Sequence, residues 1–405
     1  MGDTKGERWE GRTVQTIDSG IITTLPCQVQ GATPVIFHAR HFATGSAVAV
    51  TISNRRIGTV ESSVESPTRW LAPAFFDPQI NGCLGVGFNS PTLTPDGVRM
   101  VADECRRHGI GAFCPTVITD SFDTQRNAFA VLTRSLAADD DLARRMPCFH
   151  LEGPYLAGDD GPRGAHPKAH VRDPDWDEFR RLQDAADGRI RMVTLAPERP
   201  GAVPFIEQAT AAGIVIALGH TAATGEQLRD AVSAGAKTST HLGNGCHATM
   251  NRHANPIWEQ AANDSLWASL IADGHHLPPA VVKTLIRAKT VARTLLTCDA
   301  GTFAGCAPGR YSDWGTEVEV LPGGKIVVPG TPYLAGSGVF TDACVSNLLR
   351  VTDVSLADAI GMASLRPHQL LGLPLPGLEV GDPGPWMLFD WQPGGDLVVR
   401  QVVGD

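Results

Sequence analysis

The sequence predicts an α/β chain: a (β/α)8 barrel of the TIM type carrying a small β-sandwich domain formed by both chain ends. Three observations predict it. From Leu71 onward, short apolar or β-branched runs recur, most of them followed by a Gly, Asp or Pro signal and then an amphipathic stretch. The residues before Leu71 and after Leu371 are β-rich, with little helical texture. A length of 405 residues suits one barrel of about 250 residues plus one small companion domain.

The expected barrel strands are 71–77, 111–117, 148–152, 191–196, 214–220, 238–244, 269–273 and 294–299, with amphipathic helices at 95–108, 125–137, 177–186, 225–234 and 278–287 between them. Such regular alternation reads as a parallel sheet with helical crossovers. The runs VIFHARHF, AVAVTI and RIGTVES near the start alternate as half-buried strands do, and 385–391 and 396–402 repeat that texture after a last helical stretch at 356–371. The expected division is therefore 1–69 and 374–405 for the β-sandwich and 70–373 for the barrel.

Composition excludes several roles. Hydrophobic content of 42% and charged content of 19% are those of an ordinary globular protein. A net charge of -9 offers no basic field for phosphate backbones, so no nucleic-acid partner is expected. The nine cysteines are odd in number and never in a CxxC pair, which argues against a disulfide framework or a Cys-rich zinc site; they read as small core residues, Cys298 included. The opening MGDTKGERWEGR has no apolar signal core, Gly6 stands where a myristoylation signal wants Ser or Thr, and no apolar run approaches the roughly 18 residues of a membrane span. A cytoplasmic protein with a small-molecule partner and no membrane partner is expected.

Chemistry is signalled by position. Most expected strands end in a residue able to bind metal or move a proton: Asp77 with Gln79 and Asn81 beyond it, His150 and Glu152, His220, His241, Asp273 with His275 and His276, and Asp299. In a barrel these ends converge on one mouth. Glu152, His220 and His241 form a two-His, one-carboxylate set suited to a divalent ion with an open position for water, and Asp299 is the candidate proton shuttle. Each residue alone has a plainer reading, since a lone strand-end His is more often a hydrogen-bonded structural residue. Asp273 in particular reads as a loop acceptor or helix cap.

The blocks DPQING at 77–82, HLEGP at 150–154, TLAPE at 194–198, GHT at 219–221, THL at 240–242, IADGHH at 271–276, DA at 299–300 and LAGS at 334–337 resemble those of N-acetylglucosamine-6-phosphate deacetylases, in the amidohydrolase superfamily. The resemblance implies hydrolysis of N-acetylglucosamine 6-phosphate to glucosamine 6-phosphate and acetate. It implies one divalent ion, Zn2+ first and Fe2+, Mn2+ or Co2+ as alternatives, on Glu152, His220 and His241, with Asp299 as general base and then acid and His166 polarising the amide carbonyl. Asn244, Gly245 and His276 would face the sugar phosphate, with Gln79 and Asn81 in the same substrate-facing set. Arg252 falls where an arginine reaches the neighbouring subunit's phosphate, so a homodimer is implied. Where many superfamily members carry an H-x-H pair, this chain has Gln79 and Asn81, which disfavours a second metal. After His241 an aromatic is replaced in the run Gly243-Asn-Gly-Cys-His247, so the loop touching the sugar is rebuilt. That leaves room for a different N-acetylated amino sugar, with or without a phosphate, in a specialised pathway, or for a non-catalytic sugar-binding barrel.

Overall fold

The computed structural model describes residues 14–17, 20–23, 34–313 and 316–404. The opening segment read for targeting signals, and Cys27, lie outside them. Eight parallel strands form the barrel: Phe75–Ile80, Ile110–Ile118, Phe149–Glu152, Ile190–Leu195, Val215–Leu218, Thr238–Ser239, Trp267–Leu270 and Thr294–Leu296, paired in that order. Except at Arg191 and Trp267 their residues are buried, because helices cover the outside and side chains fill the inside. Several helices start where a side chain can cap them. The helix Pro95–Arg107 is capped by the Thr94 hydroxyl, Phe122–Ala137 by Ser121, and Gly225–Ser233 by a reciprocal box between Thr224 and Gln227.

Both chain ends contribute to a β-rich unit beside the barrel, a six-stranded sheet that runs Val398–Val403, Trp386–Asp390, Trp70–Pro73, Val35–His41, Ala47–Ser53, Arg56–Ser62. The apolar stretch expected as one strand at 71–77 is therefore two: Trp70–Pro73 lies in this sheet and the first barrel strand starts at Phe75. Several later barrel strands end two or more residues earlier than expected, which leaves His220, His241, Asp273 and Asp299 on the loops just past the strand ends. The stretch 356–371 is two helices, Leu356–Ala363 and Leu365–Leu371, joined at Ser364. No helix among the described residues is long and apolar enough to cross a membrane.

The first and last barrel strands meet at a seam pinned by Asp77. Its Oδ1 accepts from the Gln79 amide N–H at 3.0 Å and the Thr297 hydroxyl at 2.6 Å; its Oδ2 accepts from the Cys298 amide N–H at 2.8 Å and the Thr341 hydroxyl at 2.7 Å. Burial raises the Asp77 pKa more than these four donors lower it. An Asp77→Asn side chain would turn an NH2 group toward one of two backbone N–H groups, whichever way it flips. We expect that variant to lose about 2–4 kcal/mol of stability, read as a lower denaturation midpoint with unchanged slope; an unchanged midpoint would show that the seam does not need the charge.

A second tie joins the end of the first barrel helix to the helix Thr341–Val351. His108 Nδ1 lies 2.9 Å from Asp342 Oδ2 and Nε2 lies 3.5 Å from Glu104, with the ring stacked on Phe340 at 4.1 Å. Burial works against the imidazolium, but Asp342 and Glu104 outweigh it and raise the pKa. A raised folded-state pKa gives stability that is fully present below the unfolded value near 6.5 and is lost as pH rises through the folded value. His108→Gln should therefore cost more stability at about pH 5 than at about pH 9, by up to roughly 1 kcal/mol at this part-exposed site. Thermal melts of both proteins across that range check it, and a pH-independent difference would leave only the ring stacking.

Candidate active site

Glu152 ends the third barrel strand, and His220 and His241 follow the fifth and sixth; all three are buried. Their donor atoms lie within 4.8 Å of one another. His220 Nε2 is 3.1 Å from His241 Nε2 and 3.4 Å from Glu152 Oε1, and His241 Nε2 is 3.2 Å from the same oxygen. The ligands of a tetrahedral zinc at about 2.0–2.1 Å stand about 3.3 Å apart along each edge, so these separations match three corners of such a shell. The His220 Nδ1 lies 2.8 Å from the carbonyl oxygen of Pro162, which can only accept; the ring proton therefore sits on Nδ1 and the Nε2 lone pair faces the cluster. His241 Nδ1 is buried without a partner among the described residues, so only one of the two rings has its outer nitrogen fixed. Burial would raise the Glu152 pKa, but His220 and His241 hold the carboxyl well below the usual range. The donor chemistry, burial and spacing fit a divalent ion.

Asp299 stands beside this group. The Gln79 side-chain amide donates to Glu152 Oε1 at 2.9 Å and to Asp299 Oδ1 at 3.0 Å, and the Asn81 amide donates to Asp299 Oδ1 at 2.7 Å. Burial, reinforced by the Glu152 charge, pushes the Asp299 pKa up to about 8. His166, from the loop after Arg163, has Nε2 3.3 Å from His220 Nε2 and Nδ1 2.9 Å from the Thr119 hydroxyl. Burial, then the neighbouring His220, pushes its pKa down to about 3, so it is neutral at ordinary pH. His150, two residues before Glu152 on the same strand, is also neutral, its pKa lowered to about 4 by burial, and its Nε2 lies 2.8 Å from the Thr194 hydroxyl. It belongs to the barrel interior.

These groups form the floor of a cavity of about 970 Å³. Asn81, His166, Asn244, Gly245, His276 and Asp299 line it; Gln79 and Arg252 do not. Gln79 lies beneath, bridging the two carboxylates. Arg252 is exposed on the loop before the helix Pro256–Ala262, with Trp258 donating to its carbonyl oxygen at 3.1 Å. Gly245 has φ +58°, and a Cβ there would lie 2.9 Å from His220 Nδ1, so a side chain would press on the donor cluster. His276 is held by Asp273, whose Oδ2 is 2.7 Å from His276 Nδ1 and whose Oδ1 accepts from the backbone of His275 and His276.

Two parts of the site carry no sequence expectation. Thr119 holds the His166 ring. A four-stranded antiparallel sheet, Gly309–Asp313, Thr316–Val320, Lys325–Val327 and Leu334–Ser337, roofs the cavity with Val318, Ile326 and Leu334. Its signal was the alternation in Thr316–Val320, inside a stretch rich in Gly and Pro.

A nearly closed parallel barrel whose C-terminal mouth gathers a Glu–His–His group and a further carboxylate defines a metal-dependent hydrolase of the amidohydrolase superfamily. No protein-family model matches the chain. It is 36% identical over 314 residues to the N-acetylglucosamine-6-phosphate deacetylase of Homo sapiens, covering 75% of each chain. It is 33% identical over 312 residues to the N-acetylgalactosamine-6-phosphate deacetylase of Escherichia coli O157:H7, covering 77% of this chain and 81% of that one. Among solved structures, a mutant N-acetyl-D-glucosamine-6-phosphate deacetylase from Mycobacterium smegmatis, in complex with N-acetyl-D-glucosamine-6-phosphate, superposes with a TM-score of 0.79 at 28% identity, over 87% of this chain and 95% of that one. The chain belongs to the N-acetylglucosamine-6-phosphate deacetylase family.

The donor cluster gives a direct test. His220→Ala should lower the metal content from about one ion per chain to near zero by elemental analysis, and stripping the wild type with a chelator should lower its Tm by several degrees, because an ion bound only by the folded state stabilises it. Full occupancy in the variant would move the ion elsewhere.

Proposed function

We propose that the protein hydrolyses the N-acetyl amide of N-acetylglucosamine 6-phosphate, releasing glucosamine 6-phosphate and acetate. The observation that carries this reading is the Glu152–Gln79–Asp299 bridge, which couples a metal-binding group to a carboxylate on one cavity floor. A divalent ion on Glu152, His220 and His241, zinc in this proposal, would supply Lewis acidity toward the amide oxygen and acidify a water. Asp299 takes a proton from the attacking water as its oxygen bonds the amide carbon, then gives that proton to nitrogen as the C–N bond breaks. The amine and acetate are the products.

His166 steadies the carbonyl oxygen in this scheme. The scheme has the Thr119 hydroxyl, 2.9 Å from Nδ1, donate to that nitrogen, which leaves the one proton of the neutral ring on Nε2 for the oxygen as negative charge develops there. Asn244, Gly245, His276 and Asn81 bind the sugar, with Gln79 supporting them from below. Asn81 Oδ1 is a buried acceptor without a partner among the described residues, which suits a sugar hydroxyl. Arg252 acts across a homodimer, a role its exposure leaves open to it. A cytoplasmic setting is consistent with the eight described cysteines, all of them free thiols.

A second reading keeps the chemistry and changes the sugar. The Escherichia coli relative is an N-acetylgalactosamine-6-phosphate deacetylase. Acetate release from the two N-acetylhexosamine 6-phosphates and from unphosphorylated N-acetylglucosamine separates these readings. We expect the phosphorylated glucosamine derivative to be turned over most efficiently. Asp299→Asn should lose about 10²–10⁴-fold in kcat while keeping its metal, as removal of a proton shuttle does; retained turnover in that variant would remove Asp299 from the chemistry.

A further inference from the structure

We propose that Lys325, on the sheet that roofs the cavity, is the contact from the same chain for the substrate's phosphate. This rests on the phosphosugar reading above. Two permanent cations line the cavity, Arg163 and Lys325. Arg163 is already committed: it pairs with Asp160 and donates to the carbonyl oxygens of Gly164 and His166, which fixes the His166 loop. Lys325 is half-buried and has no carboxylate partner among the described residues. A lysine partly withdrawn from water and free of a counter-ion can be offset by an anionic group of a ligand.

The backbone places Lys325 over the chemistry. It pairs with Ser337 across the ladder, and the Ser337 amide N–H donates to the carbonyl oxygen of Asp299 at 2.8 Å. On the other side, His275 bonds the carbonyl oxygen of Gly323 at 2.9 Å, which ties the turn before Lys325 to the loop bearing His276. The roof is thus fixed to both the proposed proton shuttle and a proposed sugar contact. Arg252 of the same chain is exposed and lies outside the cavity lining, so it supplies no charge there. The acidic residues lining the cavity are Glu152, Asp160 and Asp299; Asp160 is paired with Arg163, and the other two sit on the floor. Within one chain, the lining cation not already engaged by a carboxylate among the described residues is therefore Lys325 at the roof.

The test is steady-state kinetics on the full-length, metal-loaded enzyme. Lys325→Met should raise KM for N-acetylglucosamine 6-phosphate by about tenfold or more with kcat within about twofold, the effect of losing one charge-assisted hydrogen bond that ground and transition states share. Inhibition by inorganic phosphate should weaken in parallel, and Lys325→Arg should restore most of both. A KM and phosphate inhibition unchanged in Lys325→Met, or a variant in which Lys325→Arg rescues nothing, would overturn the assignment. If metal-loaded wild type releases no acetate from either N-acetylhexosamine 6-phosphate, the phosphosugar reading itself fails, and the Lys325 assignment falls with it for that separate reason.

Discussion

The mouth of the barrel depends on Asp77, a fully buried carboxylate that accepts four hydrogen bonds across the seam between the first and last strands. Two of its partners, Thr297 and the Cys298 amide, directly precede Asp299, and a third is the backbone of Gln79. The carboxylate that closes the sheet therefore also sets the distance between Gln79 and Asp299. The Asn81 amide N–H continues the seam by donating to the carbonyl oxygen of Ala300 at 2.9 Å. A parallel barrel has no edge strand to spare, and here the closing bonds fall where the site is built. Thr341 brings the next helix to the same carboxylate, so the roof sheet between residues 309 and 337 is anchored at both of its ends.

Backbone strain marks the same residues. His220, His241 and Asp299 have φ of +50°, +32° and +54°, conformations that cost a residue with a Cβ of order 1–3 kcal/mol each. All three come just past a barrel strand, where the chain must turn its side chain inward instead of continuing the pleat. Each is held by a bond the turn itself creates: the His220 carbonyl accepts from the Ala157 amide, the His241 amide donates to the Ser269 hydroxyl at 2.7 Å, and the Asp299 carbonyl accepts from Ser337. The barrel supplies the stability that keeps these turns in place, and the three side chains meet at the floor of the cavity.

Much of this was legible in the sequence because barrel chemistry has a linear trace. An apolar run ending in His, Glu or Asp, repeated around a parallel sheet, places those ends together whatever the intervening helices do. Glu152, His220, His241 and Asp299 were readable for that reason, and so was the meeting of both chain ends in one β-rich unit. What was not legible depends on distances across the fold. The run at 71–77 gives no sign that Pro73 and Phe75 belong to different sheets, because both halves are apolar. The roof sheet hides among turn residues, and its strands stabilise one another through pairing that no local period reports. Asp273 reads as a loop acceptor, and it does accept from two backbone amides, but its second oxygen also orients His276, a partner three residues away whose direction only the folded turn decides.

The exchange of an imidazole pair for Gln79 and Asn81 has a structural consequence that bears on the number of ions. Both amides turn their NH2 groups to acidic oxygens, Gln79 to Glu152 Oε1 and Asp299 Oδ1 and Asn81 to Asp299 Oδ1. An NH2 group has no lone pair to offer a cation. Histidines at these positions would present ring nitrogens to a second ion between the two carboxylates; the amides instead fill that space with donors. The same donors allow two acidic groups to sit close together without a second ion between them. Glu152 is held in its charged form by His220 and His241, while burial and the neighbouring charge raise the affinity of Asp299 for a proton. The proposed division of labour, Glu152 as ligand and Asp299 as proton carrier, would thus come from their neighbours, since the two side chains differ by a single methylene.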